Sequence, residues 1–309
     1  MFRDPKVPNL FVIGVPKAGT TSVLRWLGDH PQIGRSYENE LRFLMDADDP
    51  LCRKDGYTTE GLAGYSRFFR HDLDQEQIKF LLDVSPQYYY QKTAQSVIAG
   101  IPDSKVIFIL RRPSARIYSL YNYAINNKVA LDADMQFSDF VSEIRRAEKS
   151  DVLRDRPMLQ YAIDHSRYET YVRQWQSIVG PERLNVYLFE DIVTDPASSL
   201  CNIVSTLGLD ASFYDNYSFP VQNESFALRH RGLHKLLHRS RKKLPGWVRR
   251  SLKPAYLYIN TRKPVRKMSP NDRLLLSELD AEFQESEINL ARVLGRSKPL
   301  WPLAGGPGQ

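Results

Sequence analysis

The chain has 309 residues, of which 42% are hydrophobic and 26% are charged, close to globular averages. These values exclude collagen-like, low-complexity and wholly disordered classes, and the length predicts one α/β domain with elaborations. Cys52 and Cys201 lie far apart, so neither a disulfide framework nor a cysteine-built zinc site is expected. The net charge of +7 comes from residues 229–267, which contain 14 Lys and Arg and no Asp or Glu; the rest carries 29 basic and 36 acidic residues.

The N-terminal region contains one short apolar run, Leu10–Val15, ended by Pro16. This run predicts a buried strand of a parallel sheet, and it is too short for a signal peptide or a membrane span. We therefore expect a cytoplasmic protein. A helix should follow at once, with Thr20 or Thr21 as its N-cap, and end near His30-Pro31.

The alternation of apolar strands with amphipathic helices continues over the first two hundred residues. It predicts a mostly parallel central sheet flanked by helices, with ligands at the carboxyl ends of the strands, and a helical C-terminal part. We assign residues 1–302 to one domain, 229–267 to a basic elaboration within it, and 303–309 to a flexible tail. The other predicted strands are Phe80–Val84, Lys105–Leu110 and Leu184–Phe189; the other predicted helices are 114–127, 168–179, 198–207 and 271–294, the last with an apolar stripe of Leu274, Leu275, Leu279, Phe283, Leu290 and Leu294.

The loop after the first strand has the composition of a phosphate cradle. Backbone N–H groups of such a loop and of the following helix start converge with partial positive charge. The spacing from Gly14 to Gly19 matches the phosphate loop of nucleotidases, but Thr20 stands where that loop has lysine, and the lysine is Lys17. In this position it can neutralise charge on a departing phosphate without a metal ion. An ordinary tight turn is the alternative.

A second strand-loop-helix unit places Arg111 at a strand end and Ser119 two helical turns later. Together they could hold a further anion, Arg111 by its two-pronged guanidinium and Ser119 by its hydroxyl. Taken alone, this loop is better interpreted as a surface arginine cluster that caps a helix.

The two loops together resemble those of the sulfotransferase superfamily, which uses 3'-phosphoadenylyl sulfate (PAPS) as donor. The likeness is carried by FVIGVPKAGTTSVLRWL (residues 11–27) and FILRRPSARIYSLY (residues 108–121), and is closest to the bacterial and heparan-sulfate-type carbohydrate branch. It implies a single P-loop-type domain, PAPS as co-substrate, 3',5'-bisphosphoadenosine (PAP) as product, and no required metal. It assigns the 5'-phosphosulfate to Lys17, Ala18, Gly19, Thr20 and Thr21, and the 3'-phosphate to Arg111 and Ser119.

The resemblance also implies a general base. In heparan-type members the second acidic residue after the first helix has this role, which falls on Glu40, with Glu38 as the neighbour that could share it. Without the resemblance, the better interpretation is that both glutamates are solvated charges in a loop. Many members have a lysine where this chain has Val84, so charge compensation would fall on Lys17 or Arg42. The implied acceptor is a hydroxyl or amine of a carbohydrate or glycoconjugate; residues 45–66 and 131–160 show no pattern that identifies it.

The basic segment has two further interpretations. By resemblance, Arg229, Arg231 and Gly232 belong to a late loop that closes over the 3'-phosphate. The rest could contact an anionic glycan or an anionic membrane surface. His230, His234 and His238 are interpreted as a solvated stripe, because no other ligand type lies nearby in the sequence.

Two other functions remain open from the residues. A phosphate-loop kinase or nucleotidase would need magnesium ligands, for which Thr20 or Thr21 with Asp83 form a weak set. A non-catalytic membrane- or nucleic-acid-binding protein would use the basic segment, but this leaves both phosphate loops unexplained. We expect no nucleic-acid partner.

Overall fold

The fold is built on five parallel strands, as the sequence predicts. The computed structural model describes residues 7–69, 77–126, 130–220, 227–228, 261–262 and 268–301. The strands of the sheet are β1 (Leu10–Gly14), β2 (Ile33–Arg35), β3 (Phe80–Val84), β4 (Lys105–Leu110) and β5 (Leu184–Leu188), in the order β2-β3-β1-β4-β5. A short antiparallel pair, β6 (Ala227–Leu228) and β7 (Thr261–Arg262), brackets part of the basic segment.

Helices connect the strands and cover the sheet. The last helix, Pro270–Val293, packs against the helices Pro113–Asn126 and Tyr168–Val179. Leu279, Phe283 and Leu290 of the predicted stripe are buried, but Leu274 is 60% exposed, so the stripe is narrower than predicted. The helices are α1 (Thr20–Gly28), α2 (Tyr57–Glu60), α3 (Lys92–Ala99), α4 (Pro113–Asn126), α5 (Phe137–Arg146), α6 (Pro157–Gln160), α7 (Tyr168–Val179), α8 (Phe189–Thr194), α9 (Pro196–Thr206) and α10 (Pro270–Val293), with 3₁₀ turns at Leu62–Phe68, Tyr88–Tyr90, Ala147–Lys149, Asp164–Ser166 and Ala211–Tyr214.

The core has two parts. The larger surrounds the sheet, where β1 is buried throughout because strands and helices enclose it. The smaller lies between α4, α5 and α10. Gly14 ends β1 where a Cβ atom would lie 2.3 Å from the Phe108 ring, so glycine leaves room for that ring. β1 and β4 are paired in parallel, which places their carboxyl ends side by side.

No helix among the described residues is both long and apolar enough to cross a bilayer. The predicted tail, 303–309, and most of the basic elaboration lie outside the described residues.

Candidate active site

The loop between β1 and α1 presents unpaired N–H groups. Lys17 (φ 78°) and Gly19 (φ 68°) both have left-handed backbone conformations. The helix N-cap is Gly19, so the prediction of Thr20 or Thr21 was wrong; both threonines belong to the first turn, because the left-handed bend falls one residue earlier. No described residue accepts a hydrogen bond from the N–H of Gly19, Thr20 or Thr21. The arrangement is suited to an anion at the helix start.

The Lys17 ammonium lies over an aromatic ring in a half-buried position. Its Nζ is 4.1 Å from the centroid of the Tyr123 ring. Burial lowers the pKa of Lys17 to about 8; the positive charge of Arg111 acts in the same direction, and the negative charge of Glu40 opposes both. Two predicted side chains from other segments, Arg111 and Glu40, therefore lie within electrostatic range of Lys17.

The Arg111 guanidinium lies directly against the loop of Lys17. Its Nη1 donates to the Lys17 carbonyl oxygen at 2.7 Å, and its Cζ lies 4.7 Å from the centroid of the Phe189 ring. Tyr168 fixes the backbone by donating its hydroxyl to the Arg111 carbonyl oxygen at 2.8 Å. Arg111 Nε is buried and has no partner among the described residues. Such a donor is costly unless a ligand accepts from it, so this residue fits an anion-binding role.

The Phe189 ring contacts both predicted anion-binding groups, the loop that contains Lys17 and the Arg111 guanidinium. A Cβ atom on Gly19 would lie 2.7 Å from this ring, while the Arg111 guanidinium covers it. Ser119 lies half-buried on α4, two turns after Arg111, and no described contact joins the two side chains. Ala18, a residue of the loop between β1 and α1, is fully buried.

The two glutamates of the acidic segment have different partners. Glu40 forms an ion pair with Arg42, and its charge acts on both Lys17 and Tyr123. Glu38 accepts a hydrogen bond from Arg53 at 2.6 Å and is 49% exposed. Only Glu40 is thus associated with the loop of Lys17.

A buried carboxylate holds the backbone that follows Glu40. Asp83 is fully buried and accepts hydrogen bonds from the hydroxyls of Ser85 at 2.7 Å, Tyr65 at 2.9 Å and Tyr88 at 3.0 Å. Ser85 Oγ in turn accepts from the N–H of Arg42 at 2.9 Å. Tyr88 Oη accepts from the next two N–H groups, at 2.8 and 3.0 Å.

Asp83 is consequently engaged by hydroxyl groups, and burial raises its pKa to about 6 against their opposing hydrogen bonds. The kinase alternative requires this carboxylate as a magnesium ligand. The geometry instead gives Asp83 a supporting role beneath the acidic segment.

Sequence reasoning missed two side chains of the site. Tyr123 lies four residues after Ser119 on α4, so helical periodicity places both on one face and could have found it. Phe189 comes directly after β5, at the sheet edge where ligands bind, and only its aromatic character signalled a role. Arg229, Arg231 and Gly232 lie outside the described residues, as do His230, His234 and His238, so their predicted positions are not described.

Two cavities lie beside the acidic segment. One, of about 520 Å³, is bordered by residues of α1 and by residues 35–37 and 39. The other, of about 720 Å³, also borders Tyr37. Lys17 and Arg111 line neither. Their linings are Thr21, Leu24, Arg25, Asp29, Arg35, Ser36, Tyr37 and Asn39 for the first, and Tyr37, Glu38, Arg53, Asp55, Arg67 and Phe68 for the second.

The chain shares sequence with known proteins. A sequence profile of the Sulfotransferase family matches residues 8–213, about two thirds of the chain. The chain is 24% identical over 301 residues to human bifunctional heparan sulfate N-deacetylase/N-sulfotransferase 3, covering 96% of this chain and 31% of that protein. It is 24% identical to human heparan sulfate glucosamine 3-O-sulfotransferase 3B1 over 72% of this chain and 51% of that protein.

The fold has a solved counterpart. A sulfotransferase from Alicyclobacillus acidocaldarius superposes with a TM-score of 0.63 and 19% identity, covering 96% of this chain and 98% of that chain. This confirms the predicted fold class. The chain spans about a third to a half of the length of the two curated relatives above. On the extent of the profile match, the chain belongs to the Sulfotransferase family.

Proposed function

We propose that this chain transfers the sulfuryl group of PAPS to a hydroxyl or amine of a carbohydrate or glycoconjugate. The observation that carries the proposal is the adjacency of three groups: Arg111 donates to the Lys17 carbonyl, and the charges of Arg111 and Glu40 both act on the Lys17 ammonium. A donor with anionic groups at both ends of its adenosine would engage Arg111 at one end and the loop of Lys17 at the other.

The chain supplies each role that an in-line displacement needs. Glu40 takes the proton of the acceptor as the acceptor oxygen or nitrogen forms its bond to sulfur. The bond between sulfur and the bridging oxygen breaks, and its electron pair remains on the 5'-phosphate of PAP. Lys17 stabilises this developing charge as a protonated ammonium. The unpaired N–H groups of Gly19, Thr20 and Thr21 hold the same phosphate, so we expect no metal requirement.

The carbohydrate acceptor is supported by relatives and by the space beside the site. Both curated relatives described above are named for heparan sulfate. The cavity of about 520 Å³ lies between Thr21 of the loop and the segment that leads to Glu40. Tyr37 borders it and is 66% exposed. An exposed ring beside charged and amide groups suits the apolar face and the hydroxyls of a sugar.

The sharpest test compares the two neighbouring glutamates. With labelled PAPS and a glycan library in the presence of a chelator, we expect Glu40→Gln to lower kcat by about 10²–10⁴-fold, because the general base is lost. Glu38→Gln is the matched control, since Glu38 is 49% exposed and pairs with Arg53 instead of Arg42, and we expect the variant to stay within about threefold of the wild type. Equal losses in both variants would contradict the assignment of the base. Absence of any sulfated product in the wild type would contradict the acceptor class.

A further inference from the structure

Arg42 has a backbone conformation that its own preferences do not explain. Its φ of 50° is left-handed, which is uncommon for a residue other than glycine. Hydrogen bonds hold the backbone in this conformation. The N–H of Arg42 donates to Ser85 Oγ at 2.9 Å, and Ser85 Oγ donates to the buried Asp83. The next two N–H groups are held by Tyr88 Oη. A strained residue supported this closely is typical of a functional position.

The guanidinium of Arg42 is only partly satisfied. Its Nη2 donates to Glu40. Its Nε is buried and finds no acceptor among the described residues. Arg111 Nε is in the same situation, and Arg111 lies at the proposed donor site. An orphaned, charged N–H group in a polar site indicates a ligand oxygen that completes it.

The position of Arg42 relative to the loop narrows the ligand. Tyr123, whose ring lies beneath the Lys17 ammonium, is within electrostatic range of both Glu40 and Arg42. The Arg42 guanidinium therefore contacts the proposed base directly and lies within electrostatic range of the ring that carries the Lys17 ammonium. An oxygen that meets Arg42 here belongs to the group that lies between base and leaving phosphate.

We propose that Arg42 binds a non-bridging oxygen of the sulfuryl group during its transfer, an inference that rests on the function proposed above. Arg42 keeps its proton throughout; the proton released by the acceptor goes to Glu40, and the electron pair of the broken sulfur–oxygen bond goes to the 5'-phosphate. The ion pair with Glu40 also aligns the base with the sulfur that the acceptor attacks. Arg42 is thus a catalytic residue that touches the transferred group.

The test uses the full chain with Arg42→Gln and Arg42→Lys. We expect Arg42→Gln to lower kcat by about 10²–10³-fold, the effect of removing one donor from a developing-charge site. Arg42→Lys should retain more of the rate, because it keeps the charge but not the planar fork. The dissociation constant for PAP, which has no sulfuryl group, should be unchanged in both. Arg67→Gln, which removes an arginine paired with Asp55 and Glu60, is the control and should leave kcat and PAP binding unchanged.

The alternative outcomes overturn the inference. A structural role would weaken PAP binding and lower the melting temperature together with kcat, and an acceptor-binding role would raise only the acceptor KM. Either result, or a kcat of Arg42→Gln equal to that of the wild type, contradicts a sulfuryl contact. Failure of the proposed function itself is distinguishable, since it would appear in the wild type as absence of sulfate transfer or in Glu40→Gln as full activity.

Discussion

At the scale of single residues, Lys17 shows how the fold prepares an ammonium group for an anion. Burial and the neighbouring Arg111 disfavour its charged form, which lowers its pKa to about 8. A phosphate placed at the loop would reverse this effect by favouring the charged form. Burial and the charge of Arg111, which disfavour the ammonium form of Lys17 in the free protein, thus make anion binding favourable and pH-dependent.

The pH dependence is a testable consequence. Below about pH 8 the Lys17 ammonium is charged and attracts PAP; as the pH rises through this value the free protein loses the proton, and we expect the affinity to fall. Lys17→Arg should remove this fall in affinity, because arginine stays charged over this range. Calorimetric titrations with PAP from about pH 6.5 to about pH 9.5 measure both proteins. Identical profiles would show that another group causes the dependence.

The residue scale also shows where sequence reasoning stops. Lys17 and Arg111 could be singled out because each follows a recognisable buried strand. The local sequence pattern does not distinguish the environments of Glu38 and Glu40, because the difference lies in their ion-pair partners, Arg53 and Arg42. Arg53 comes from a segment without readable periodicity.

At the scale of elements, the strands were the most predictable part. β1 and β4 are continuous apolar runs, and their observed ends differ from the predicted ones by at most one residue. β2 was missed because it has only three residues, too few to show a pattern. α5 was also missed, although Phe137, Phe140, Val141 and Ile144 are buried at helical spacing, so the signal for it was present in the sequence.

The last helix, α10, carries an unexpected buried carboxyl group. Burial, followed by the negative charge of Asp280, raises the pKa of Glu287 to about 8; Glu190 adds to the rise, and Arg112 opposes it. Arg112 lies next to Arg111, and its guanidinium is 3.8 Å from Asp280. α10 therefore contributes acidic groups, Asp280 and Glu287, that lie close to Arg112, the neighbour of the anion-binding residue Arg111.

Glu287 should make the stability of the protein fall as the pH rises. Between the ordinary pKa of 4.5 and about 8, the unfolded chain has released the proton that the folded protein still holds, so this group lowers the free energy of unfolding across that window. Glu287→Gln removes the effect, and its melting temperature relative to the wild type should rise from pH 5 to pH 8 by about 3 °C or more. Scanning calorimetry measures the difference.

Glu278→Gln is the control, because this glutamate lies on the exposed side of the same helix. A difference between Glu287→Gln and the wild type that does not change with pH, or that also appears in Glu278→Gln, would contradict the account of the buried carboxyl group.

At the scale of the whole molecule, the site is a product of strand order. β1 lies between β3 and β4, so the loop of Lys17 is flanked by Ser85 on one side and Arg111 on the other. The sequence predicts a parallel sheet and ligands at its carboxyl edge. It does not give the order of the strands, because that order depends on how helices cross over the sheet, and the neighbours of Lys17 therefore required the structure.

The central claim is that one nucleotide bridges two anion cradles, one at Lys17 and one at Arg111. The most direct measurement is the affinity of adenosine 5'-phosphate, adenosine 3'-phosphate and PAP for the wild type, Lys17→Ala, Arg111→Gln and the control Arg112→Gln. We predict that Lys17→Ala abolishes the advantage that the 5'-phosphate gives, that Arg111→Gln abolishes the advantage that the 3'-phosphate gives, and that Arg112→Gln preserves both. If Lys17→Ala and Arg111→Gln weaken all three nucleotides by the same factor, the two cradles do not bind opposite ends of one ligand and the account is wrong.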